Sequence, residues 1–208
     1  MKLYFSPFAC SLSPHIALQE AGLPYELVRV DMKSKTTEDG DDFLAINPKG
    51  YVPALLLDDG QLLTEGPAIV QYIADLNPAA ALAPSQGTFA RYRLQEWLNF
   101  ISTELHKQFS PLFTPNPSPE LKASTHAKIK ARVALLEQAL QDGPYLLGAQ
   151  FSVADGYAFT VLNWARSVRL DLGQFPAVLA YRARIAERPA VKAALARELM
   201  QRSNGKKG

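Results

Sequence analysis

Cysteine is nearly absent from this chain: the 208 residues contain one, Cys10. A single thiol excludes an intrachain disulfide framework and a multi-cysteine metal site, and it fits a reducing compartment. The three histidines are scattered without metal-ligand spacing, so no metal is expected. No bound cofactor is expected either. A glycine-rich phosphate loop is also missing, which argues against a nucleotide-binding enzyme of that type.

Long apolar runs and an excess of one charge are missing as well. No stretch approaches the roughly 20 apolar residues that span a bilayer, and the opening run is short and broken by Pro7. The net charge is only +2, with acidic residues interspersed among the basic ones. We therefore expect a cytoplasmic globular protein whose partners include neither nucleic acid nor a membrane.

The first third of the chain mixes strand and helix signals. Residues 2–5 and 25–30 are strand-like, and residues 14–21 between them have helical spacing that stops at Gly22. This βαβ order implies two parallel strands. Residues 53–57 and 61–64 then flank an Asp-Gly turn, which predicts a hairpin, and a helix follows to Leu76.

The predicted fold is therefore an α/β thioredoxin-like domain with a mixed four-stranded sheet, followed by an all-helical domain. We place the first domain at residues 1–80, a Pro- and Ala-rich linker at 81–87 and the helical domain at 88–208. Its predicted helices are 89–109, 120–140, 152–166, 176–187 and 189–200, and residues 203–208 are expected to fray.

Cys10 follows the first strand and precedes the first helix. A thiol at a helix N-terminus has its thiolate stabilised by the helix dipole and by unpaired N–H groups. The residue three positions on is Ser13, so disulfide exchange within the protein is unavailable, whereas a mixed disulfide with an external thiol can form. A buried, inert cysteine is the alternative.

Two further segments are candidates for ligand binding. Val52-Pro53 opens the third strand, and in thioredoxin-like folds the equivalent proline is cis and exposes the preceding backbone to a peptide-like ligand; an ordinary trans turn is the alternative. Glu65-Gly66 joins the fourth strand to a helix, where N–H groups suit a ligand carboxylate and Glu65 suits an ammonium; a plain capping turn is the alternative.

The helical half offers one polar stripe and one capping signal. Asn99, Thr103 and His106 recur at helical spacing with Lys107 adjacent, which predicts one polar face that is either functional or merely solvated. The run 152–155 (SVAD) predicts a capping box that serves stability rather than chemistry.

Together these motifs resemble those of the soluble glutathione transferases, and within them the bacterial beta class. The resemblance covers residues 1 to about 190, and its motifs run in the family's order: ACSL at 9–12, NPKGYVPAL at 47–55, LTEGPAI at 63–69, ELHK at 104–107 and FSVAD at 151–155.

The resemblance implies an enzyme that conjugates glutathione, a co-substrate, to small hydrophobic electrophiles, with glutathione-dependent disulfide exchange or peroxidase activity through Cys10. It implies catalytic roles for Cys10 and His106 and a homodimer in which Thr103 and Glu104 reach the neighbouring subunit's glutathione. The implied glutathione-binding residues are Lys35, Tyr51, Val52, Pro53, Glu65, Gly66, Asn99, Thr103, Glu104 and Lys107. The electrophile is expected to contact Phe8, Phe109, Phe113 and Trp164.

Two positions depart from the family's pattern. Many members carry a serine or threonine where this chain has Gly66, so one hydrogen bond to the γ-glutamyl carboxylate is missing. Gly156 stands where an apolar residue would pack against Phe151 at the helix start. A non-catalytic glutathione- or ligand-binding protein on the same fold is the alternative function, and a monothiol reductase overlaps with the enzymatic one.

Overall fold

A computed structural model of the protein describes residues 1–204. Within it the chain divides into two compact units. The first comprises Met1–Leu82 together with the segment from Arg188 onward, and the second is Ala83–Glu187. None of the helices in the described part of the chain has both the length and the apolar character needed to cross a bilayer.

The sheet of the first unit is mixed, as predicted. Its strands are β1 (Lys2–Phe5), β2 (Glu26–Asp31), β3 (Thr36–Thr37), β4 (Ala54–Leu56) and β5 (Leu62–Thr64), in the order β3-β2-β1-β4-β5. β1 and β2 pair in parallel, and every other neighbouring pair is antiparallel. The expected number of four strands was wrong, because the two-residue strand β3 is too short to show an alternating pattern.

Helices cover both faces of this sheet. They are α1 (Leu12–Ala21), α2 (Phe43–Ile46) and α3 (Gly66–Leu76). Leu3 and Phe5 are fully buried on one face. Tyr4 lies on the opposite face because strand side chains alternate, and its ring centroid is 5.7 Å from that of Phe43 in α2. The four-residue helix α2 was not predicted.

The second unit is helical throughout its regular structure. Its α-helices are α4 (Phe89–Phe100), α5 (Lys107–Phe109), α6 (Pro119–Ala139), α7 (Val153–Leu162), α8 (Trp164–Ser167) and α9 (Pro176–Ala186). The predicted helix 89–109 is interrupted: residues Ile101–His106 form a π-helical segment between α4 and α5. The predicted helix 152–166 is divided into α7 and α8 at Asn163.

The last helix, α10 (Pro189–Asn204), packs on α1 and so completes the first unit. This grouping differs from the expected helical domain of residues 88–208, because helical periodicity alone does not say which partner a helix packs against. Backbone helix continues through Asn204, past the start of the segment expected to fray. Residues 205–208 lie outside the described part of the chain.

Asp155 organises the start of the buried helix α7, and the predicted capping box is confirmed. Its fully buried carboxylate accepts hydrogen bonds from the Ser152 N–H at 2.7 Å, the Leu146 N–H at 2.9 Å and the Tyr181 hydroxyl at 2.9 Å. Burial raises the pKa of this carboxyl, whereas the hydrogen bonds from the surrounding donors oppose that rise. The Asp155 carboxylate thus connects α7, the loop before it and α9.

We expect Asp155→Ala to lower the free energy of unfolding by about 3 kcal/mol or more, because four buried donors, the Ser152 hydroxyl at 2.8 Å among them, lose their acceptor. Urea unfolding measures this loss. Asp171→Ala is the matched control, since the exposed Asp171 accepts one hydrogen bond, from the Gly173 N–H. This substitution should lower the free energy of unfolding by less than about 1 kcal/mol. Equal losses in the two variants would contradict the role assigned to Asp155.

Candidate active site

The loop between β1 and α1 carries Cys10, two residues before the helix begins. The loop is closed by Ser11, whose hydroxyl accepts from the Ser6 N–H at 3.1 Å and donates to the Ser6 carbonyl at 3.2 Å. The Cys10 thiol donates to the Val52 carbonyl oxygen at 3.2 Å. The cysteine therefore faces the backbone that the sequence predicts to pair with a peptide-like ligand.

A buried carboxylate from α10 fixes the same loop from the other side. Glu198 Oε2 accepts from the Phe8 N–H at 2.6 Å, and Glu198 Oε1 lies 3.0 Å from His15 Nδ1. The side chains of Glu198 and His15 are fully buried. Phe8 has φ 62°, a left-handed conformation that a non-glycine residue keeps only where its surroundings impose it. Sequence reasoning missed Glu198, which is 190 positions from Phe8.

The Val52–Pro53 peptide bond is cis, as the sequence predicts. Beside it, the Lys35 ammonium donates to the Gly50 carbonyl at 2.8 Å and lies 5.4 Å from the centroid of the Tyr51 ring. Tyr51 is 71% exposed, whereas Val52 and Pro53 are buried. Lys35, Tyr51 and the Val52 backbone thus form one continuous group next to Cys10.

Glu65 lies at the junction of β5 and α3 in an unusual backbone conformation, with φ 71° and ψ 115°. Such a conformation costs a non-glycine residue about 1–3 kcal/mol. Its side chain does not cap α3, which begins at Gly66. Instead Glu65 Oε1 accepts from the Lys49 ammonium at 2.7 Å, and the same ammonium donates to Thr64 Oγ1 at 2.9 Å. Lys49 lies within the NPKGYVPAL motif, but its role was not predicted.

The polar residues of the second unit do not form the single stripe expected. Asn99 and Thr103 are exposed, and the Thr103 hydroxyl donates to the Asn99 carbonyl at 2.9 Å. His106 lies at the end of the π-helical segment and packs inward. The wider π-helical turn changes the spacing on which the stripe was predicted. Lys107 is exposed, and Glu104 forms an ion pair with Arg132 at 2.9 Å.

Aromatic side chains surround His106. Its Nδ1 lies 2.7 Å from the Tyr157 hydroxyl oxygen, and its ring centroid is 4.8 Å from that of Trp164. Burial and, to a smaller extent, the neighbouring Lys107 lower the pKa of His106 from 6.5 to about 4. The imidazole is therefore neutral at pH 7. Tyr157 was also missed, although a phenol in a mostly apolar, fully buried helix such as α7 usually needs a hydrogen-bond partner.

Three aromatic residues expected to line an electrophile cleft have different exposures. Phe109 is fully buried, with its ring centroid 5.7 Å from that of Trp164, so its expected exposure to a ligand was wrong. It packs into the core of the second unit. Phe113, by contrast, is 54% exposed and contacts Trp164 edge to face at 5.6 Å. Trp164 is half-buried between them.

The predicted site residues thus form two groups, one in each unit. The first unit contains Cys10, Lys35, Tyr51, Val52, Pro53, Glu65 and Gly66. The second contains Asn99, Thr103, Glu104, His106 and Lys107. Among the residues described, no group of three or more histidine, cysteine or acidic side chains is arranged to hold a metal ion.

Comparison with known families gives two matches that together cover most of the chain. Residues 5–76 match the family described as "Glutathione S-transferase, N-terminal domain", and residues 100–189 match "Glutathione S-transferase, C-terminal domain". The chain belongs to the glutathione S-transferase family.

Individual relatives agree with this family assignment. The chain is 48% identical to glutathione S-transferase GstA of Escherichia coli O157:H7 over 95% of its own length and 98% of the relative's. Two solved structures, a sphingomonad glutathione S-transferase complexed with glutathione and the bacterial beta class enzyme of Sphingomonas chungbukensis, are each 50% identical with a TM-score of 0.92, covering 95% of this chain and 98% of theirs. These matches support a glutathione transferase of the beta class over the non-catalytic alternative.

The lowered pKa of His106 predicts that acid destabilises this transferase. Between pH 6.5 and about 4 the unfolded chain binds a proton that folded His106 does not, so stability is lost as the pH falls. We expect the contribution of His106 to the free energy of unfolding to fall by about 2 kcal/mol between pH 7.5 and pH 5. Urea unfolding at both pH values should show a correspondingly smaller acid loss in His106→Gln. The same acid loss in both proteins would contradict the prediction.

Proposed function

We propose that the first unit binds glutathione as an extended, strand-like ligand along the Val52–Pro53 segment. The observation that carries this proposal is the 3.2 Å hydrogen bond from the Cys10 thiol to the Val52 carbonyl. A tripeptide whose cysteinyl residue pairs with the Val52 backbone places its sulfur next to Cys10. Main-chain pairing of this kind supplies affinity while nearby side chains select the ligand.

The γ-glutamyl head group binds at Glu65 and Gly66 in this proposal. Its ammonium takes the place now held by the Lys49 ammonium at Glu65 Oε1, and its carboxylate accepts from N–H groups at the start of α3. The unusual backbone conformation of Glu65 supports a binding role, because such conformations cluster at ligand sites. Lys49 keeps the Glu65 carboxylate paired until the ligand arrives.

The glycyl end and the sulfur are assigned to the remaining candidates. Lys35 stands beside the exposed ring of Tyr51 and offers a positive charge to the glycyl carboxylate, with Lys107 as a second cation. His106, neutral at pH 7, stabilises the glutathione thiolate from the second unit. A site that lowers the cost of forming this thiolate raises the supply of nucleophile at neutral pH.

The proposed reaction is conjugation, in which the glutathione thiolate attacks a small hydrophobic electrophile. Exposed aromatic surface on Phe113, packed against Trp164, is the part of the second unit suited to a flat apolar substrate. Glutathione is a co-substrate here, and we propose no further cofactor. The cytoplasm remains the predicted location, since one cysteine fits a reducing compartment.

Disulfide exchange is the second candidate activity, and the direction of the Cys10 thiol favours it. The Cys10 thiolate attacks the glutathione sulfur of a mixed disulfide, forms a bond to that sulfur and releases the other sulfur as a thiolate. A glutathione thiolate then attacks the glutathione sulfur of the Cys10-glutathione disulfide, which releases glutathione disulfide and restores the Cys10 thiolate. No other protein thiol is available for either step.

We also propose a homodimer. Phe89 and Tyr92 on α4 are 72% and 59% exposed, which is a large apolar area for one helix to leave uncovered in a single chain. Asn99, Thr103 and Glu104 follow further along the same helical stretch as proposed glutathione-binding residues, and in the dimer Thr103 and Glu104 contact the glutathione of the neighbouring subunit.

Two substitutions at the head-group site should change glutathione affinity in opposite directions. Glu65→Ala should weaken binding by about 2–4 kcal/mol, because the ligand ammonium loses its carboxylate partner. Gly66→Ser should strengthen it by about 1.5–3 kcal/mol, since a hydroxyl gains a charged hydrogen bond and no atom lies within 4 Å of the new Cβ. Titration calorimetry measures both.

The control for these two variants is Glu26→Ala, which removes an exposed glutamate paired with Lys2 on the same unit. It should leave glutathione affinity unchanged. If Glu65→Ala binds glutathione as tightly as this control, the head-group assignment is wrong.

Cys10→Ala should separate the two candidate activities. Disulfide exchange should be abolished, because the chain has no other thiol, whereas conjugation should persist if the site only needs to stabilise the glutathione thiolate. Steady-state assays with an electrophile panel and a mixed-disulfide panel measure both activities.

The control for this variant is Ser13→Ala, three residues from Cys10, which should retain both activities. Ser11→Ala is unsuitable as a control because Ser11 closes the loop. Retention of exchange in Cys10→Ala would exclude Cys10 as its nucleophile.

A further inference from the structure

His106 is held by a residue that sequence reasoning did not assign to any function. The Tyr157 hydroxyl oxygen lies 2.7 Å from His106 Nδ1, and Tyr157 itself is only 3% exposed. The two rings meet at 86°, and Trp164 packs against another part of the imidazole at 72°. The imidazole is therefore oriented by a buried hydroxyl at one nitrogen and by aromatic edges around it.

Two backbone features bring His106 and Tyr157 into contact. His106 ends the π-helical segment, and π-helical turns inside α-helices are frequent at functional sites. Tyr157 comes from α7, whose ten residues are all buried and whose start is fixed by the Asp155 network. The buried helix α7 thus presents the Tyr157 hydroxyl to His106, and the π-helical segment directs the imidazole toward that hydroxyl.

The hydrogen bond decides which nitrogen carries the proton. A neutral imidazole has one N–H donor and one bare acceptor nitrogen, and the partner of one nitrogen sets the state of the other. A phenol is a stronger acid than a neutral imidazole, so the stronger arrangement is Tyr157 O–H donating to bare Nδ1. The proton of His106 then resides on Nε2. The neutral state itself is supported by the burial that lowers the pKa of His106 to about 4.

We propose that Tyr157 is a positioning residue that holds His106 as its Nε2–H tautomer, so that His106 donates a hydrogen bond to the glutathione thiolate instead of acting as a base. This inference deepens the proposed function and rests on it for the role toward sulfur. The assignment of the tautomer rests on the protein alone. A neutral donor stabilises a thiolate through a charge-assisted hydrogen bond and takes up no proton itself.

The tautomer can be read directly in protein labelled with 15N-histidine, without glutathione, at pH 7. Long-range proton–nitrogen correlation spectra distinguish the N–H nitrogen of each imidazole from the bare one, and His106→Gln assigns the His106 signals. We expect Nε2–H alone in the wild type and a mixture of tautomers in Tyr157→Phe. Tyr145→Phe, the same chemical change on an aromatic residue packed against Phe151, should match the wild type.

A second measurement tests the role toward sulfur. In the glutathione complex at pH 7, the ratio of bound thiolate to thiol, measured by ultraviolet absorbance, should fall about threefold in Tyr157→Phe, which corresponds to half a unit in the thiol pKa. Calorimetry in parallel should show glutathione still bound. A merely structural role for Tyr157 predicts no change in either the tautomer or the thiolate fraction.

Each outcome has one consequence. A proton on Nδ1 in the wild type overturns the proposal, and this result needs no variant to fold. An unchanged tautomer in Tyr157→Phe overturns the positioning role, and an unchanged thiolate fraction overturns the role toward sulfur. Absence of glutathione binding by the wild type would contradict the proposed function and the donor role toward sulfur, while the tautomer result would still decide how Tyr157 acts on His106.

Discussion

A single buried carboxylate, that of Glu198, constrains the part of the molecule on which Cys10 depends. A carboxylate with no solvent exposure is stable only when donors surround it, and Glu198 has the Phe8 N–H and the His15 ring. These contacts connect the last helix to the first helix and to the loop between β1 and α1. The left-handed backbone at Phe8 and the Cys10 thiol that donates to Val52 both lie in the loop that these contacts hold in place.

The two groups of candidate residues, one in each unit, differ in how their charges are treated. In the first unit, charges remain near the surface: Glu65 is paired with Lys49, and both are more than half exposed. A ligand ammonium can therefore compete with Lys49 in water at modest cost. In the second unit, burial removes charge, and His106 stays neutral among aromatic rings. In the proposed function, the charges of the first group bind the ends of glutathione, and the neutral imidazole and aromatic rings of the second group suit its sulfur and an apolar substrate.

Local patterns in the sequence were sufficient for much of the fold. The Asp-Gly turn predicted the β4–β5 hairpin, Gly22 predicted the end of α1, and the SVAD run predicted the capping box of α7. Each is a short-range signal whose physical cause lies within a few residues. Val52 and Glu65 were found because each stands at one end of a predicted element next to a proline or a glycine, and the family resemblance then added the roles of their neighbours.

Features that depend on distant partners were missed. Nothing near Glu198 indicates that its carboxylate contacts Phe8, and nothing near Tyr157 indicates His106 as its partner. The π-helical segment changed the spacing on which the polar stripe of His106 and Asn99 was based. Phe109 was expected at a ligand surface but is fully buried, because helical periodicity places a residue on a face without saying what covers that face.

The contact between Phe8 and Glu198 also has a consequence for biosynthesis. The two residues are separated by 190 positions, so at roughly 5–20 residues per second a ribosome needs about 10 to 40 s to make the second after the first. During that interval the whole of the second unit is synthesised, while the loop of Cys10 still lacks its buried partner. Domains usually fold in the order of translation, but in this chain the N-terminal Cys10 thiol is among the last features to reach its final surroundings.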